Sequence, residues 1–293
     1  MKALIIQNPM AGRSKEFDEY ALYEFKKTGL ETDVKKTKAV GDGITLAKNA
    51  IGKYDIVIAA GGDGTVNEVI NGIAGKNIKL GILPLGTENS VSKELGIPQD
   101  LKKAAKIITQ GKTVKFDLGS LENQQGTRYF ALVAGVGFDA AIAEQITPHL
   151  KKMLHGAAYL LEGFKELVEY KKHKIVVTVD DKEEIEGYFA IIGNVKYYGM
   201  GLEMTPEADP TSGKLDLIIF KKENTFEMLE YGIHALFHNI DTFKDVEYRK
   251  FKKAVIDSAG DVLVHADCEL AGKTPVTFKV HKDAIEVFYK KLQ

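Results

Sequence analysis

Two rhythms of apolar and polar residues divide the chain. Over the first 120 residues, short runs at Ala3 to Gln7, Thr32 to Thr37, Ile56 to Ala60 and Leu80 to Leu83 read as strands. Helical spacing fills the gaps between them. Phe17, Tyr20, Ala21 and Phe25 fall on one face, as do Ile44, Ala47 and Ile51. Leu101, Ala104, Ala105 and Ile108 stand at i, i+3, i+4 and i+7. Apolar strands alternating with amphipathic helices predict a parallel sheet covered on both faces.

From about Thr113 strand-like runs dominate. They lie at Val114 to Ser120, Tyr129 to Ala134, Ile175 to Asp180, Tyr188 to Ile192, Leu215 to Phe220, Val262 to His265 and Val276 to Val280. Helical stretches near Leu150 to Tyr170 and Thr225 to Asn239 interrupt them. This second rhythm predicts a mostly antiparallel β domain of sandwich type. The expected fold is α/β in two lobes, an α/β domain over residues 1–120 and a β-sandwich-like domain over 121–293. The C-terminal tail is left free to return to the first.

Composition narrows the functional classes. The 293 residues are 44% hydrophobic and 28% charged, ordinary for globular protein. Forty Lys and Arg face 41 Asp and Glu, so no nucleic-acid partner is expected. The single cysteine, Cys268, excludes a disulfide framework and a multi-cysteine metal site. The opening MKALIIQNPMAG has too short an apolar run for a secretory signal. No stretch approaches the roughly 18 apolar residues of a membrane span. A cytoplasmic protein is expected, with any membrane contact peripheral and at the inner face.

The chemistry concentrates in Tyr54 to Ile73, YDIVIAAGGDGTVNEVINGI. An apolar strand runs into Gly61, Gly62, Asp63 and Gly64, and a helix follows with Val66, Val69, Ile70 and Ile73 on one face. Glu68 stands three residues after Thr65, the spacing of a capping box. Clustered glycines admit a ligand close to backbone N–H groups, and a helix N-terminus adds partial positive charge. Phosphate is the expected guest. A plain strand-to-helix turn with no ligand is the alternative, and Asp63 argues against it, since it repels bare phosphate but suits a divalent cation between them. Two further loops, Asn8-Pro9-Met10-Ala11-Gly12 and Pro84-Leu85-Gly86-Thr87-Glu88-Asn89, follow the first and fourth strands. Ligands of open α/β sheets gather at such carboxyl ends.

These segments resemble the bacterial soluble diacylglycerol kinases and their sphingosine-kinase-like relatives. GGDGTVNEVINGI is close to the family signature. NPMAG, LGILPLGTENSVSKELGIP, AGVGFDA, GNVKYYGMG and a late D-x-E stand in family order over nearly the whole chain. The resemblance implies an α/β nucleotide-binding lobe of the NAD kinase and diacylglycerol kinase type, joined to a β-sandwich. It implies ATP and Mg²⁺, and a lipid hydroxyl as acceptor, diacylglycerol first, met at a membrane surface. By position, Asn8, Pro9, Met10, Ala11, Gly12, Thr37, Gly61, Gly62, Asp63, Gly64, Thr65, Asn67, Glu68 and Thr87 would frame the nucleotide. Asp63, Asn89 and Asp117 would serve the metal. The family's D-G-E would be Asp267-Cys268-Glu269, with Glu269 the base for the acceptor hydroxyl and Asp267 its supporting acid. A carboxylate in that role takes the proton that makes an alcohol a poor nucleophile. Oligomeric state stays open, a homodimer included.

Three departures bear on this expectation. Ser90 stands where the family has an aspartate. Cys268 replaces a glycine, at a cost of about 1–2 kcal/mol if that position needs a positive φ. Ser212, ahead of Gly213, replaces the acid of a C-terminal metal loop, which argues against a second, structural metal. Two rival readings follow: a nucleotide-binding regulator with impaired catalysis, and a kinase of this fold acting on a soluble acceptor such as NAD.

Other signals are weaker. Gly135-Val136-Gly137-Phe138-Asp139-Ala140 fits a dinucleotide pattern but lacks the later acid, and reads as a close backbone approach between the lobes. The stripe of Met153, Leu154, Ala157, Leu161 and Phe164 reads as core rather than a membrane-resting face. His234 and His238 lack a third zinc ligand. Neither G-x-S-x-G nor the G-x-x-x-x-G-K-[ST] phosphate loop occurs.

Overall fold

The computed structural model describes residues 1–137, 173–198, 202–222 and 245–292. The expected helices near Leu150 to Tyr170 and Thr225 to Asn239 lie outside these residues, as do His234, His238 and Phe138 to Ala140. The chain divides into two units, Met1–Leu118 with His281–Gln293, and Gly119–Val280.

The first unit opens with β1 (Lys2–Gln7), α1 (Phe17–Lys27), β2 (Glu31–Lys36), α2 (Asp42–Lys48) and β3 (Ile56–Gly61). It continues with α3 (Asp63–Ile73), β4 (Lys79–Pro84), α4 (Ser90–Glu94), α5 (Leu101–Gln110) and the start of β5 (Thr113–Asn123). The strands lie in the order β2-β1-β3-β4, all parallel. Every residue of β3 is buried, because a parallel strand covered on both faces has no solvent side. β2 is the edge strand and carries the polar sequence ETDVKK, which discourages pairing with another chain. Asp100 caps α5 by accepting from Lys103 N–H at 2.9 Å, and Gly111 ends it at φ 77°. Its Leu101, Ala104, Ala105 and Ile108 are all buried, as the spacing predicts.

The second unit holds β6 (Gly126–Phe130), β7 (Val133–Val136), β8 (Ile175–Val179), β9 (Glu183–Gly187) and β10 (Phe189–Gly193). Two short strands follow, β11 (Tyr197–Tyr198) and β12 (Leu202–Glu203), then β13 (Leu215–Phe220) and β14 (Val246–Phe251). The last are β15 (Lys253–Ser258), β16 (Leu263–Ala266), β17 (Glu269–Lys273) and β18 (Val276–Phe288). One antiparallel sheet runs β14-β13-β10-β7-β16-β17. A second contains β9, β8, β15 and the first part of β18, with β5 pairing β18 and β6. Phe130, Val177, Leu217, Ile256, Val264 and Phe278 belong to one apolar cluster drawn from both sheets. Alternating side chains with a shared interior make a β-sandwich-like domain. The last residues of β18 belong to the first unit, where Glu286 and Val287 pair in parallel with Lys79 and Leu80 of β4.

Three local expectations are corrected. α3 begins at Asp63 with Gly62 as its N-cap, so Thr65 sits inside the first turn and no capping box forms. Glu68 instead accepts from Gly41 and Gly43 N–H, both at 2.8 Å, and thereby caps α2. The run Tyr129 to Ala134 splits into β6 and β7, because the N–H groups of Ala131, Leu132 and Val133 turn to the Asp267 carboxylate. Gly137, at φ 105°, makes its close approach within the second unit, where an added Cβ would lie 3.0 Å from Phe189 Cβ. β9, β14, β15 and β17 escape a pattern search because charged residues interrupt their alternation.

Candidate functional site

Three loops leave the carboxyl ends of adjacent parallel strands in the first unit. After β1, Asn8 N–H donates to Ala60 O at 2.9 Å, and the Asn8 side chain folds back to accept from Met10 N–H at 2.9 Å. After β3 comes Gly61-Gly62-Asp63-Gly64, and after β4 comes Leu85 to Asn89. Asn8 Nδ2 donates to Thr65 Oγ1 at 3.2 Å, tying the first loop to the second. Arg13 N–H donates to Leu85 O at 3.0 Å, tying the first to the third. Leu85 N–H donates to Gly61 O at 2.9 Å. Thr37 follows β2 and donates its N–H to Gln7 O at 2.9 Å.

Glycine is required where the second and third loops meet. A Cβ on Gly86 would stand 2.6 Å from Gly62 Cα, closer than carbon atoms approach. A Cβ on Gly61 would stand 2.3 Å from Thr65 Oγ1. Immediately beyond, α3 starts from Gly62 as N-cap, which has no side chain to cap the first turn. The leading N–H groups of a helix have no intrahelical partner and carry the positive end of its dipole. Backbone donors bare of Cβ atoms and of a capping side chain form a cradle for an anion of phosphate shape.

The expected metal-serving residues have definite partners. Asp63 Oδ1 accepts from Val91 N–H at 3.0 Å, so its carboxylate joins the start of α3 to the start of α4. Asn89 is buried in the left-handed region at φ 53°. Its Oδ1 accepts from Gly86 N–H at 2.9 Å, and its Nδ2 donates to Gly86 O at 2.8 Å and Gln99 Oε1 at 2.6 Å. Asn89 thus shapes the third loop. Asp117 is fully buried on β5 and accepts from Asp283 N–H at 2.8 Å. Among the described residues no three His, Cys, Asp or Glu side chains gather as a metal cage. Asn67 is buried in α3, where its carbonyl and Oδ1 accept from Asn71 Nδ2. Thr87 is exposed at the tip of the third loop.

In the second unit, β16 and β17 form a hairpin whose two-residue turn is Asp267-Cys268, with Ala266 paired to Glu269. Asp267 and Cys268 have φ of 48° and 62°, the pattern of a turn that favours glycine at its second position. The conditional strain at Cys268 is therefore present. Asp267 accepts from Ala131 and Leu132 N–H at 2.9 Å each and from Val133 N–H at 3.1 Å. Its carboxylate fixes the hairpin against the β6–β7 corner. Glu269 Oε2 pairs with Arg128 Nη2 at 2.5 Å, with side chains 44% and 27% exposed.

Sequence reasoning missed Arg128, Gln99 and Arg13. Arg13 donates through Nη1 to Gln99 O at 2.6 Å while its guanidinium also pairs with Glu16. The chain has three arginines among 40 basic residues, and all three form ion pairs with glutamates. Sparse arginine among many lysines was the available signal, since the rigid guanidinium fork suits fixed pairing with carboxylates.

Comparison with known proteins agrees with this fold. The family model described as the diacylglycerol kinase catalytic domain matches residues 2–121. That described as the YegS C-terminal NAD kinase beta sandwich-like domain matches residues 132–289. A diacylglycerol kinase of Staphylococcus epidermidis is 33% identical over 296 residues, covering 99% of this chain and 92% of its own. One from Staphylococcus saprophyticus is 33% identical over 293 residues, covering 98% and 95%. A crystal structure of a diacylglycerol kinase from Bacillus anthracis is 25% identical with a TM-score of 0.81, covering 99% of this chain and 97% of that one. No described helix is long and apolar enough to cross a membrane. A glycine cradle at the parallel strand ends, followed by a β-sandwich-like unit and matched over the full length, makes this chain a member of the diacylglycerol kinase family of phosphotransferases.

Proposed function

We propose that this chain transfers the γ-phosphate of ATP to a hydroxyl of diacylglycerol, taken from a membrane surface by peripheral contact. The observation that carries the reading is the Gly62–Gly86 contact beside the uncapped start of α3. It brings two glycine loops together at the start of a helix, where backbone N–H groups would receive the triphosphate, and a side chain at Gly86 would force the loops apart. Asp63 and Asp117 would hold Mg²⁺, which when bound neutralises the phosphate oxygens. Glu269 is the general base. Arg128 occupies its Oε2, and Oε1 accepts the hydroxyl proton as the acceptor oxygen bonds to Pγ and the bond from Pγ to the β-phosphate oxygen breaks. Asp267, bound to three N–H groups, is a positioning residue that holds the turn carrying Glu269.

The test is transfer of labelled γ-phosphate from Mg·ATP to diacylglycerol and other lipids in mixed micelles, with NAD as a soluble acceptor. Glu269→Gln is expected to lose roughly 10²–10⁴-fold in turnover while retaining ATP binding. Unchanged turnover in that variant removes Glu269 from the chemistry. ATP binding without transfer to any acceptor would favour a regulator, and transfer to NAD alone would overturn the lipid assignment.

A further inference from the structure

The family resemblance implies a second metal on the loop closed by Ser212 and Gly213, and the described residues do not fit one. Asp209 Oδ1 accepts from Thr211 N–H at 2.9 Å and from the Thr211 hydroxyl at 2.7 Å. Ser212 contributes a neutral hydroxyl, 3.3 Å from both Lys214 N and Lys214 O. Asp216 follows on β13 with its side chain 1% exposed, and its Oδ1 accepts from Lys250 Nζ at 2.8 Å. The Tyr248 hydroxyl donates to the same oxygen. The Lys250 ammonium also donates to Glu207 O at 2.6 Å and lies 3.6 Å from Glu207 Oε2. Tyr248 Oη accepts from Glu207 N–H at 3.2 Å. Both polar groups of the Glu207 residue's backbone are therefore held from β14.

One positive charge already sits among a buried carboxylate, a backbone carbonyl and a second carboxylate, which are the oxygen donors a hard divalent cation seeks. Asp216 Oδ2 is buried without a hydrogen-bond partner. That single oxygen falls far short of the six to eight that Ca²⁺ takes, and the fixed ammonium beside it repels a second cation, Mg²⁺ included. Burial pushes the Asp216 carboxyl up, and Lys250 and Tyr248 oppose that push.

We propose that the Lys250 ammonium is a built-in cation standing in for the second metal, so that this unit holds its 207–216 loop without a divalent ion. Strand register dictates the substitution. Asp216 and Lys250 are direct partners across β13 and β14, and Tyr248, two residues away, shares that face.

The test is thermal unfolding of the full chain without nucleotide, in EDTA and in millimolar Mg²⁺ or Ca²⁺. The wild-type Tm is expected to be the same in all three. Lys250→Met should lower Tm in EDTA by about 5–10 °C, because it strands a buried carboxylate. Added Mg²⁺ or Ca²⁺ should then recover part of the loss. Lys250→Arg, which keeps the charge, should stay indifferent to cations, and it tests the idea even if Lys250→Met does not fold. A wild-type Tm that rises with either cation, and still rises when Asp63→Asn removes the site near α3, would falsify the proposal. So would a Lys250→Met protein as stable as the wild type.

Discussion

In the first unit the candidate loops meet glycine to glycine and are tied by neutral amides and one carboxylate, whereas in the second the candidate residues are held by side-chain charge. Gly62 and Gly86 meet with no side chain between them, and the N-cap of α3 is itself a glycine. The Asp267-Cys268-Glu269 hairpin is pinned by a carboxylate on three N–H groups and by the Arg128–Glu269 pair. The contrast follows the chemistry each region would perform. A polyanion is best met by many preorganised N–H dipoles that need no rearrangement. A general base must sit at one point, and under the proposed function the fixed turn and the paired arginine would locate Glu269 there. Steric loss should therefore be the weakness of the first unit, and charge loss the weakness of the second.

The largest effect should come from Asp267→Asn. Replacing one acceptor oxygen by an NH₂ group faces a donor against donors, and hydrogen bonds to a charged group contribute about 1.5–3 kcal/mol each. A loss of roughly 3 kcal/mol in urea unfolding is expected, with kcat lowered and ATP affinity unchanged. If ATP affinity falls as far as kcat, the hairpin is not independent of the nucleotide loops and the contrast fails.

Gly86→Ala comes next. Forcing a methyl group against Gly62 Cα costs about 1–3 kcal/mol, or roughly ten- to a hundredfold in ATP affinity by calorimetry. Native ATP affinity in this variant would show that the close contact has no part in nucleotide binding. Cys268→Gly should be smaller and of opposite sign. Relief of the left-handed strain at φ 62° should stabilise the protein by about 1 kcal/mol with turnover unchanged. A lower Tm would mean the cysteine side chain contributes more than its backbone conformation costs.

The smallest effect is acid sensitivity in the second unit. A hydrogen bond from Arg249 holds the Glu183 carboxyl below its ordinary 4.5, and Lys221 first and then Arg249 do the same for Glu247. The folded state then binds fewer protons than the unfolded chain. The contribution is fully present above 4.5 and is lost as pH falls through the depressed folded values. Arg249→Gln should flatten the acid side of a stability-against-pH curve, and a steeper acid side would contradict the assignment.

Legibility divided along the same line. The four parallel strands and the glycine loop after β3 were readable because each is encoded in a few consecutive residues, such as IVIAAGGDG. Glu68 was misread as part of a local capping box because sequence spacing cannot show that α2 brings two N–H groups within its reach. β14 and β15 went unseen because VEYRKF and KAVIDS mix charged and apolar residues on partly exposed strands.

By itself the sequence determined the α/β rhythm, the β-rich second half and the glycine-lined loops at the strand ends, since periodicity and glycine spacing act locally on the backbone. Only the tertiary structure decided that Asp267 anchors the β6–β7 corner, that Arg128 pairs with Glu269 across 141 residues, and that Lys250 faces Asp216. Those pairings depend on strand order and register, which are set by the burial of whole sheet faces and leave no mark at the positions of the charged residues.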